Sequence, residues 1–436
     1  MFEPLPANWK MQPIKELAQV VSGGTPSRNV AAFWENGSVP WVTPTDITAS
    51  SGKYISDSSD HITPIGLQSS AATLLPAGAI LMTSRATLGE SRISTVPVCT
   101  NQGFKSLVGK PGVVAEFLYY QMLLNKGQYS RFGSGSTFLE VGKKDTERFL
   151  VAVGPFDHQL KISKILSIVD AQIEATEALI AKQERVRAGL FQDLFTRGVD
   201  EHGALRPPRE EAPQLYQQTE LGWLPKQWET AKVGSVLASV EQGWSPDCST
   251  EPAQNDEWGV LKTSSVTWSG FVRGENKRLP SGLPPRPNLS IREDDVLMTR
   301  AGPNTRVGVV CLVEVNPGKL MLSDKIYKLR PLPTIEAPYL ALALSCNASQ
   351  RELDSMKRGL AESQTNISQS IVKRLKIPMP MAKEREAICG LINSAGNQNA
   401  SLLAHTDKLS KQKSALMQEL LTGRVSVAPL LERNSA

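Results

Sequence analysis

Apolar residues recur in alternating steps of three and four along two long stretches of the chain, each following a proline. The first stretch follows Pro155 and extends to Thr196, and the second follows Pro380 and extends to Leu420. Such steps place one stripe of side chains on one helix face, the a and d positions of a heptad repeat. The pattern predicts two helices of about 40 residues, each roughly 60 Å long at 1.5 Å per residue.

Both stripes are apolar at their ends and polar in the middle. The apolar members are Leu166, Val169, Ile173, Ile180, Leu190 and Leu194 in the first helix, and Ile392, Leu402, Leu409, Leu416 and Leu420 in the second. Polar members are Thr176, Gln183 and Arg187, and then Asn399, Thr406 and Lys413. Polar residues at such positions weaken packing but restrict register. We expect the helices to form an antiparallel coiled coil; the alternative is two unrelated surface helices packed on separate cores.

The two halves of the chain share short sequence matches in the same order. The matched pairs are Leu5–Trp9 with Leu224–Trp228, Ile80–Ala86 with Val296–Ala301, Phe104–Leu107 with Ile326–Leu329, and Leu194–Val199 with Leu420–Val425. Internal similarity in a fixed order is typical of a duplicated architecture.

Before each helix, short apolar runs alternate with turns rich in Gly, Pro, Ser and Thr, which is typical of a mixed α/β globule. The predicted fold class is α+β, with two similar mixed α/β globules joined by the two helices in a pseudo-twofold repeat. The predicted boundaries are 1–153 for the first globule, 154–198 for its helix, 199–222 for a polar linker, 223–378 for the second globule, 379–424 for its helix and 425–436 for a tail.

The composition is that of an ordinary globular protein, with 436 residues, 40% hydrophobic residues and a net charge of +5. The mild basic excess permits an anionic partner without proving one. Cysteines and histidines are scattered without zinc spacing, so we expect no metal site and reduced thiols. The sequence lacks a recognisable signal peptide or membrane-spanning run, so a soluble, cytoplasmic protein is expected.

Two similar but unequal globules at the ends of a helical rod would measure the distance between two different short targets. On DNA, this arrangement would read a bipartite, non-palindromic site, with the rod setting the gap. A structural scaffold that joins two protein-binding domains is the alternative from another functional class.

Several motifs resemble one known family in their order along the chain. They are Trp9 followed by Val20–Arg28, Trp41–Ile47, Gly78–Arg85, the Gly133–Thr137 turn and Gly189–Phe195, with looser counterparts at Val240–Pro246 and Gly259–Ser265. Together they make the whole chain similar to the specificity subunits of type I restriction–modification enzymes.

The resemblance implies two target recognition domains that bind double-stranded DNA, each followed by a spacer helix. It implies docking of two modification subunits, which methylate adenine at N6 with S-adenosylmethionine, and of restriction (translocase-nuclease) subunits that use ATP and magnesium. None of this chemistry is expected in the chain itself, which has neither the [ND]-P-P-[YF] motif of adenine methyltransferases nor a P-loop. A specificity-like protein working alone as a DNA-binding adaptor remains an alternative.

Contacts with phosphates and base edges call for Arg, Lys, Asn, Gln or Ser in loops of the globules. The candidates are Thr25, Ser27, Arg28, Arg85, Lys105, Arg131 and Ser136 in the first half, and Gln242, Trp244, Arg300, Asn304, Arg306, Lys325, Gln364 and Asn366 in the second. Arg85 and Arg300 are favoured because each follows the repeated Leu-Met-Thr strand. The alternative is that each arginine fixes a neighbouring loop.

Other conspicuous residues have ordinary structural interpretations. Trp9 and Trp228 are expected to anchor the two cores, whereas Trp244, in a turn flanked by Gly and Pro, is a candidate for exposure. The acidic run Glu293–Asp295 is expected to be a solvated turn rather than a metal site. The basic pairs Lys143–Lys144 and Lys373–Arg374 precede the helices and are expected on solvated faces, with phosphate contact as the alternative.

Overall fold

The computed structural model describes residues 5–85, 87–133, 139–254, 256–357 and 365–432. The chain forms two compact units. The first unit joins residues 1–180 to residues 401–436, and the second comprises residues 181–400. Both long helices therefore contribute to both units. Within the described ranges, no helix is both long and apolar enough to cross a membrane.

The first unit contains short strands and helices and the beginning of the first long helix. Its strands are β1 (Lys10–Pro13), β2 (Ala18–Ser22), β3 (Val39–Val42), β4 (Tyr54–Ile55), β5 (Asp60–Ile62), β6 (Ile80–Met82), β7 (Ser91–Ser94), β8 (Cys99–Thr100), β9 (Lys105–Gly109) and β10 (Leu150–Val153). Its helices are α1 (Ile14–Leu17), α2 (Pro44–Ala49), α3 (Pro64–Gln68), α4 (Ala115–Leu124), α5 (Lys126–Ser130), α6 (Lys143–Arg148) and the start of α7 (Phe156–Thr196).

The second unit follows the same plan. Its strands are β11 (Tyr216–Thr219), β12 (Gly222–Pro225), β13 (Glu229–Lys232), β14 (Leu237–Gln242), β15 (Gly259–Leu261), β16 (Val266–Thr267), β17 (Gly270–Phe271), β18 (Asn276–Arg278), β19 (Val296–Thr299), β20 (Ala301–Gly302), β21 (Val310–Leu312), β22 (Leu320–Met321), β23 (Ile326–Pro331), β24 (Thr365–Asn366) and β25 (Lys376–Met379). Its helices are α8 (Val233–Val236), α9 (Ala337–Ser345), α10 (Asn347–Lys357), α11 (Gln369–Arg374) and the start of α12 (Ala382–Leu420). A short helix, α13 (Ala428–Glu432), follows in the first unit.

The two units have corresponding sheets, except that the main sheet of the first unit has a fifth strand, β4. The main sheet has the order β2-β9-β6-β7-β4 in the first unit and β14-β23-β19-β21 in the second. A smaller sheet has the order β5-β3-β8 in the first unit and β18-β15-β22 in the second. In each smaller sheet the central strand has one antiparallel and one parallel neighbour. The prediction of two similar mixed α/β globules is therefore confirmed.

Strand register shows which residues of the two units correspond. In each main sheet, one central leucine pairs with a residue on both neighbouring strands. These triplets are Val20, Leu107 and Ile80 in the first unit, and Val240, Leu329 and Val296 in the second. The sequence matches around Ile80 and Val296 thus occupy the same place in the two sheets.

Within each unit, the beginning of one long helix packs against the end of the other. In the first unit, Ile162 and Leu166 of α7 share a hydrophobic core with Leu420 of α12. In the second unit, Leu194 of α7 shares a core with Ile392 of α12. The helices therefore pair antiparallel in both units, as predicted, and the alternative of separate cores is wrong.

The positions of the two predicted stripes are buried or partly buried along both helices, whereas most residues between them are exposed. The polar members near the middle are turned inward as well. Asn399 is 8% exposed, and its Oδ1 has no hydrogen-bond partner among the described residues. The buried oxygen of Asn399, unpaired within the described part of the chain, thus lowers the stability of the helix pair, as expected of a polar residue that restricts register.

A glycine in the left-handed region follows each long helix, with φ of 63° at Gly198 and 74° at Gly423. This conformation favours glycine and is common where helices end. A tryptophan packs on each glycine: an added Cβ would lie 2.5 Å from Trp228 at Gly198 and 3.2 Å from Trp9 at Gly423. Both tryptophans are buried, which confirms that they anchor the cores.

The segment between the halves is folded against the second unit. Arg206 donates to both carboxylate oxygens of Glu384, at 2.5 and 3.0 Å, near the start of α12. The backbone N–H of Val199 donates to the same carboxylate at 2.9 Å. Strands β11 and β12 then form a hairpin. This segment is therefore folded, although its composition is polar, and it is not a flexible linker.

Candidate nucleic-acid interface

A turn that begins with glycine follows the first strand of each main sheet. We call residues 23–28 the first glycine turn and residues 243–248 the second glycine turn. A Cβ atom on Gly23 would lie 2.0 Å from the carbonyl oxygen of Asn101, and one on Gly243 would lie 1.8 Å from that of Leu322. Only glycine fits at these positions, because the turn runs directly against backbone that follows β8 or β22.

The two turns are held by the same kind of side-chain contact. The Thr25 hydroxyl donates to the side-chain oxygen of Gln102, and the Ser245 hydroxyl donates to the carboxylate of Asp324. These contacts confirm that Val240–Pro246 stands where the Gly-Gly-Thr-Pro turn stands in the first half. The turns are equivalent in backbone and different in side chains.

Arg28 ends the first glycine turn and lies flat on tryptophan. Its Cζ is 3.6 Å from the ring centroid of Trp34 and 4.9 Å from that of Trp41. Its Nη2 forms an ion pair with Asp60 at 2.5 Å. The preceding candidate, Ser27, is exposed, and its carbonyl oxygen accepts a hydrogen bond from Trp34 Nε1 at 3.0 Å. Arg28 remains 51% exposed, so the stack orients it without removing it from solvent.

Trp244, in the second glycine turn, is half-buried rather than exposed. Its ring packs against a small core that contains Val260, Leu279 and Met321. The guanidinium of the exposed Arg286 covers the ring, with Cζ 3.9 Å from the centroid. The expectation of an exposed indole is therefore wrong. Sequence analysis missed Arg286, because no local spacing connects it with a tryptophan 42 residues earlier.

A charged cluster lies beyond the end of β6 in the first unit. Arg85 and Lys105 both contact the Glu140 carboxylate, at 2.7 and 3.3 Å. Burial raises the pKa of Glu140, but hydrogen bonds from Arg85 and Lys105 outweigh this effect and hold the pKa below its usual value. Lys105 is only 8% exposed. The cluster fits the structural alternative, in which the arginine fixes a neighbouring segment.

The second unit has a less charged cluster at the corresponding place. Arg300 donates to the side-chain oxygen of Asn366 at 2.7 Å, and its Cζ lies 5.3 Å from the Tyr327 ring centroid. Backbone hydrogen bonds align Arg300 with Ser84, one residue before Arg85. The two favoured arginines therefore occupy neighbouring rather than equivalent backbone positions.

The other candidate residues are spread over both units. Those on the surface are Thr25, Arg131, Gln242, Asn304, Lys325 and Asn366. Arg306 is half-buried and donates to the carbonyl oxygen of Thr263 at 2.9 Å, so it also holds a loop. Ser136, Gln364 and most of the Gly133–Thr137 turn lie outside the described residues. A DNA contact by any of the candidates remains a prediction.

The acidic run forms the expected turn, in which Glu293 and Asp294 are exposed but Asp295 is half-buried. Asp294 has a φ of 66°, and the Asp295 carboxylate accepts a hydrogen bond from the backbone N–H of Arg292 at 2.7 Å, as in a turn before β19. In the described part of the chain, no group of three or more His, Cys, Asp or Glu residues is placed to hold a metal ion. Lys143–Lys144 and Lys373–Arg374 lie exposed on α6 and α11.

Comparison with known proteins finds similarity to one family. Residues 6–185 match the family model described as type I restriction modification DNA specificity domain. The chain is 44% identical to the EcoEI specificity subunit of Escherichia coli over 159 residues, which is 36% of this chain and 27% of that protein. It is 31% identical to the MjaIX specificity subunit of Methanocaldococcus jannaschii over 241 residues, 55% of this chain and 54% of that protein. The matches thus span between a quarter and about half of these relatives.

A crystal structure of the type I restriction–modification system S subunit from M. genitalium is similar over 96% of this chain and 98% of that chain, with a TM-score of 0.56 and 14% identity. At this identity the likeness concerns the fold. The chain, with its two α/β units and its antiparallel helix pair, thus has the same fold as that S subunit. In sequence, the chain is similar over part of its length to type I restriction–modification specificity subunits.

Proposed function

We propose that the chain reads double-stranded DNA at a bipartite, non-palindromic site, with one block for each recognition domain. The main support is that the two units share strand order and pairing but differ in side chains at corresponding positions. By strand register, Lys105 in the first unit corresponds to Tyr327 in the second. In the glycine turns, Gly24 corresponds to Trp244. One backbone plan with two sets of side chains suits two different patterns of base-edge donors and acceptors.

The duplicated plan also suits two copies of one partner. Similar surfaces on the two units would dock two modification subunits. The assembled enzyme would methylate adenine at N6 with S-adenosylmethionine, and restriction subunits would add cleavage that depends on ATP and magnesium. The chain would act as the non-catalytic specificity subunit and bind none of these cofactors itself. As a reader of chromosomal DNA, it would work in the cytoplasm.

Selection from a library of random duplexes tests the reading function. The full chain, alone and together with a modification subunit, is incubated with the library at one fixed salt concentration, because phosphate contacts depend strongly on salt. We expect enrichment of two fixed blocks separated by a constant gap. Enrichment of a single block would contradict the bipartite site. Binding without any sequence enrichment would exclude specific reading, and no binding to DNA would favour the scaffold alternative.

A further inference from the structure

Two tryptophans fix the first glycine turn in place. The indole N–H of Trp41 donates to the carbonyl oxygen of Gly24 at 2.9 Å, and that of Trp34 donates to the carbonyl oxygen of Ser27 at 3.0 Å. The two indoles themselves meet edge to face, with centroids 5.0 Å apart. The residues that lead up to Arg28 are therefore held by the same tryptophans on which its guanidinium lies.

The second unit reaches a similar arrangement from different chain positions. The backbone N–H of Trp244 donates to the carbonyl oxygen of Leu322 at 3.0 Å, which fixes the second glycine turn against the smaller sheet. Arg286 approaches the indole from the long loop between β18 and β19. In each unit an exposed arginine thus lies on a tryptophan beside the smaller sheet, although the arginines do not align in sequence.

A stacked arginine is suited to reading a base rather than holding a phosphate. Stacking restricts the rotamers of its side chain, so less conformational entropy is lost when it binds. The stack occupies the face of the guanidinium, so N–H donors remain at its edge. That edge matches the O6 and N7 acceptors of guanine in the major groove. A phosphate can also be bound by a mobile lysine acting as a point charge, whereas the two acceptors of guanine are matched by a fixed pair of donors.

We propose that Arg28 and Arg286 are the guanine-reading residues of the two recognition domains. This inference rests on the proposed function and deepens it, since it assigns one residue to one G·C pair in each block. Asp60 accepts from one side of the Arg28 guanidinium and so directs its remaining donors. The half-buried Trp244 then acts as the platform for a reading arginine, not as a stacking partner for DNA.

The test compares lysine variants of the full chain in the random-duplex selection. Arg28→Lys keeps the charge but loses the paired donors, and it should reduce discrimination at one G·C pair of one block by about 5- to 150-fold, the size of one bidentate arginine–guanine contact. Arg286→Lys should do the same in the other block only. Arg148→Lys and Arg351→Lys, which change exposed arginines elsewhere in the two units, should leave both blocks unchanged.

A second variant tests the orienting role of the carboxylate. Asp60→Asn should weaken discrimination at the pair affected by Arg28→Lys and at no other. Equal loss of binding to all sequences would identify the arginines as phosphate contacts, and a change at an A·T pair or no change would equally overturn the proposal. These outcomes all presuppose that the unaltered chain enriches two blocks. If it enriches none, the proposed function fails, and this inference fails with it.

Discussion

At the scale of single residues, Asp46 shows that a sequence motif can stabilise the fold locally. Its carboxylate accepts hydrogen bonds from the backbone N–H and hydroxyl of Thr43, at 2.8 and 2.6 Å, and from those of Ser59, at 3.0 and 2.7 Å. Burial raises the pKa of Asp46, but these hydrogen bonds outweigh burial and lower it below the usual value. The motif Trp41–Ile47 therefore fixes the chain after β3.

Replacing this carboxylate gives a prediction that depends on pH. Asp46→Asn should lower the stability of the first unit by about 1–3 kcal/mol at pH 7. The new side chain would place an NH2 group, which can only donate, against N–H and O–H groups that also donate. Since the folded-state pKa is lowered, the carboxylate stabilises the fold above the unfolded pKa of about 3.9, and this stabilisation is lost as the pH falls through the folded pKa.

Denaturant unfolding of the full chain at several pH values measures this effect. The difference between Asp46→Asn and the unaltered chain should shrink in acid below the folded pKa. Asp247→Asn, a change at an exposed carboxylate in the second unit, is the control and should have little effect. Equal stabilities of Asp46→Asn and the unaltered chain at pH 7 would contradict the role given to Asp46.

At the scale of elements, the sequence predicts helices better than sites. The spacing of Leu166, Ile180 and Leu194 is local information, and burial along a helix follows it directly. Side-chain partners in loops depend on strand pairing instead. Lys105 on β9 contacts Glu140, 35 residues later, and Arg286 meets Trp244 across a long loop. Such contacts leave no periodic signal in the sequence. The residues predicted from the sequence to contact DNA therefore included the buried Lys105 and omitted Arg286.

A buried charge cluster joins the two helices in the first unit. Asp170 of α7 contacts Lys413 of α12 at 2.7 Å and lies 3.9 Å from Lys53. Asp170→Asn would leave both ammonium groups without this counter-charge, and it should lower the stability of the first unit by about 3–5 kcal/mol. Thermal unfolding measures the loss. Asp407→Asn removes an exposed carboxylate from a pair within α12, and this control should cost less than about 1 kcal/mol.

The polar stripe position Asn399 should respond in the opposite direction. Asn399→Leu removes a buried oxygen that lacks a partner among the described residues, so stability should rise by about 1–3 kcal/mol. Asn397→Leu places the same side chain on the exposed face of α12 and should give no such gain. Denaturant unfolding of both variants separates the two effects. A loss of stability in Asn399→Leu would show that its amide is satisfied and contributes to packing.

At the scale of the whole molecule, duplication separates what is constant from what varies. The sheets, the glycine turns and the tryptophans on Gly198 and Gly423 recur in both units, because each is required by backbone packing. The side chains around them differ, as at Lys105 and Tyr327. A duplicated chain can thus keep one framework while each copy changes its recognition surface.

If the paired helices set the gap between the two DNA blocks, lengthening both by one heptad should lengthen the gap. Duplicating residues 174–180 in α7 and 401–407 in α12 preserves the stripe and adds roughly 10 Å at 1.5 Å per residue. At about 3.4 Å per base pair, selected duplexes should show a gap longer by about three pairs, with both blocks unchanged.

A matched control places seven Gly and Ser residues after Gly203, in an exposed turn of the folded segment between the halves. This insertion adds as many residues as the duplication in α7 but leaves both helices intact, so the selected gap should not move. An unchanged gap in the heptad variant, with both blocks still enriched, would show that something other than the helices fixes the spacing. A longer gap in both variants would show that the length of the chain between the halves, and not the length of the helix pair, sets the gap between the two blocks.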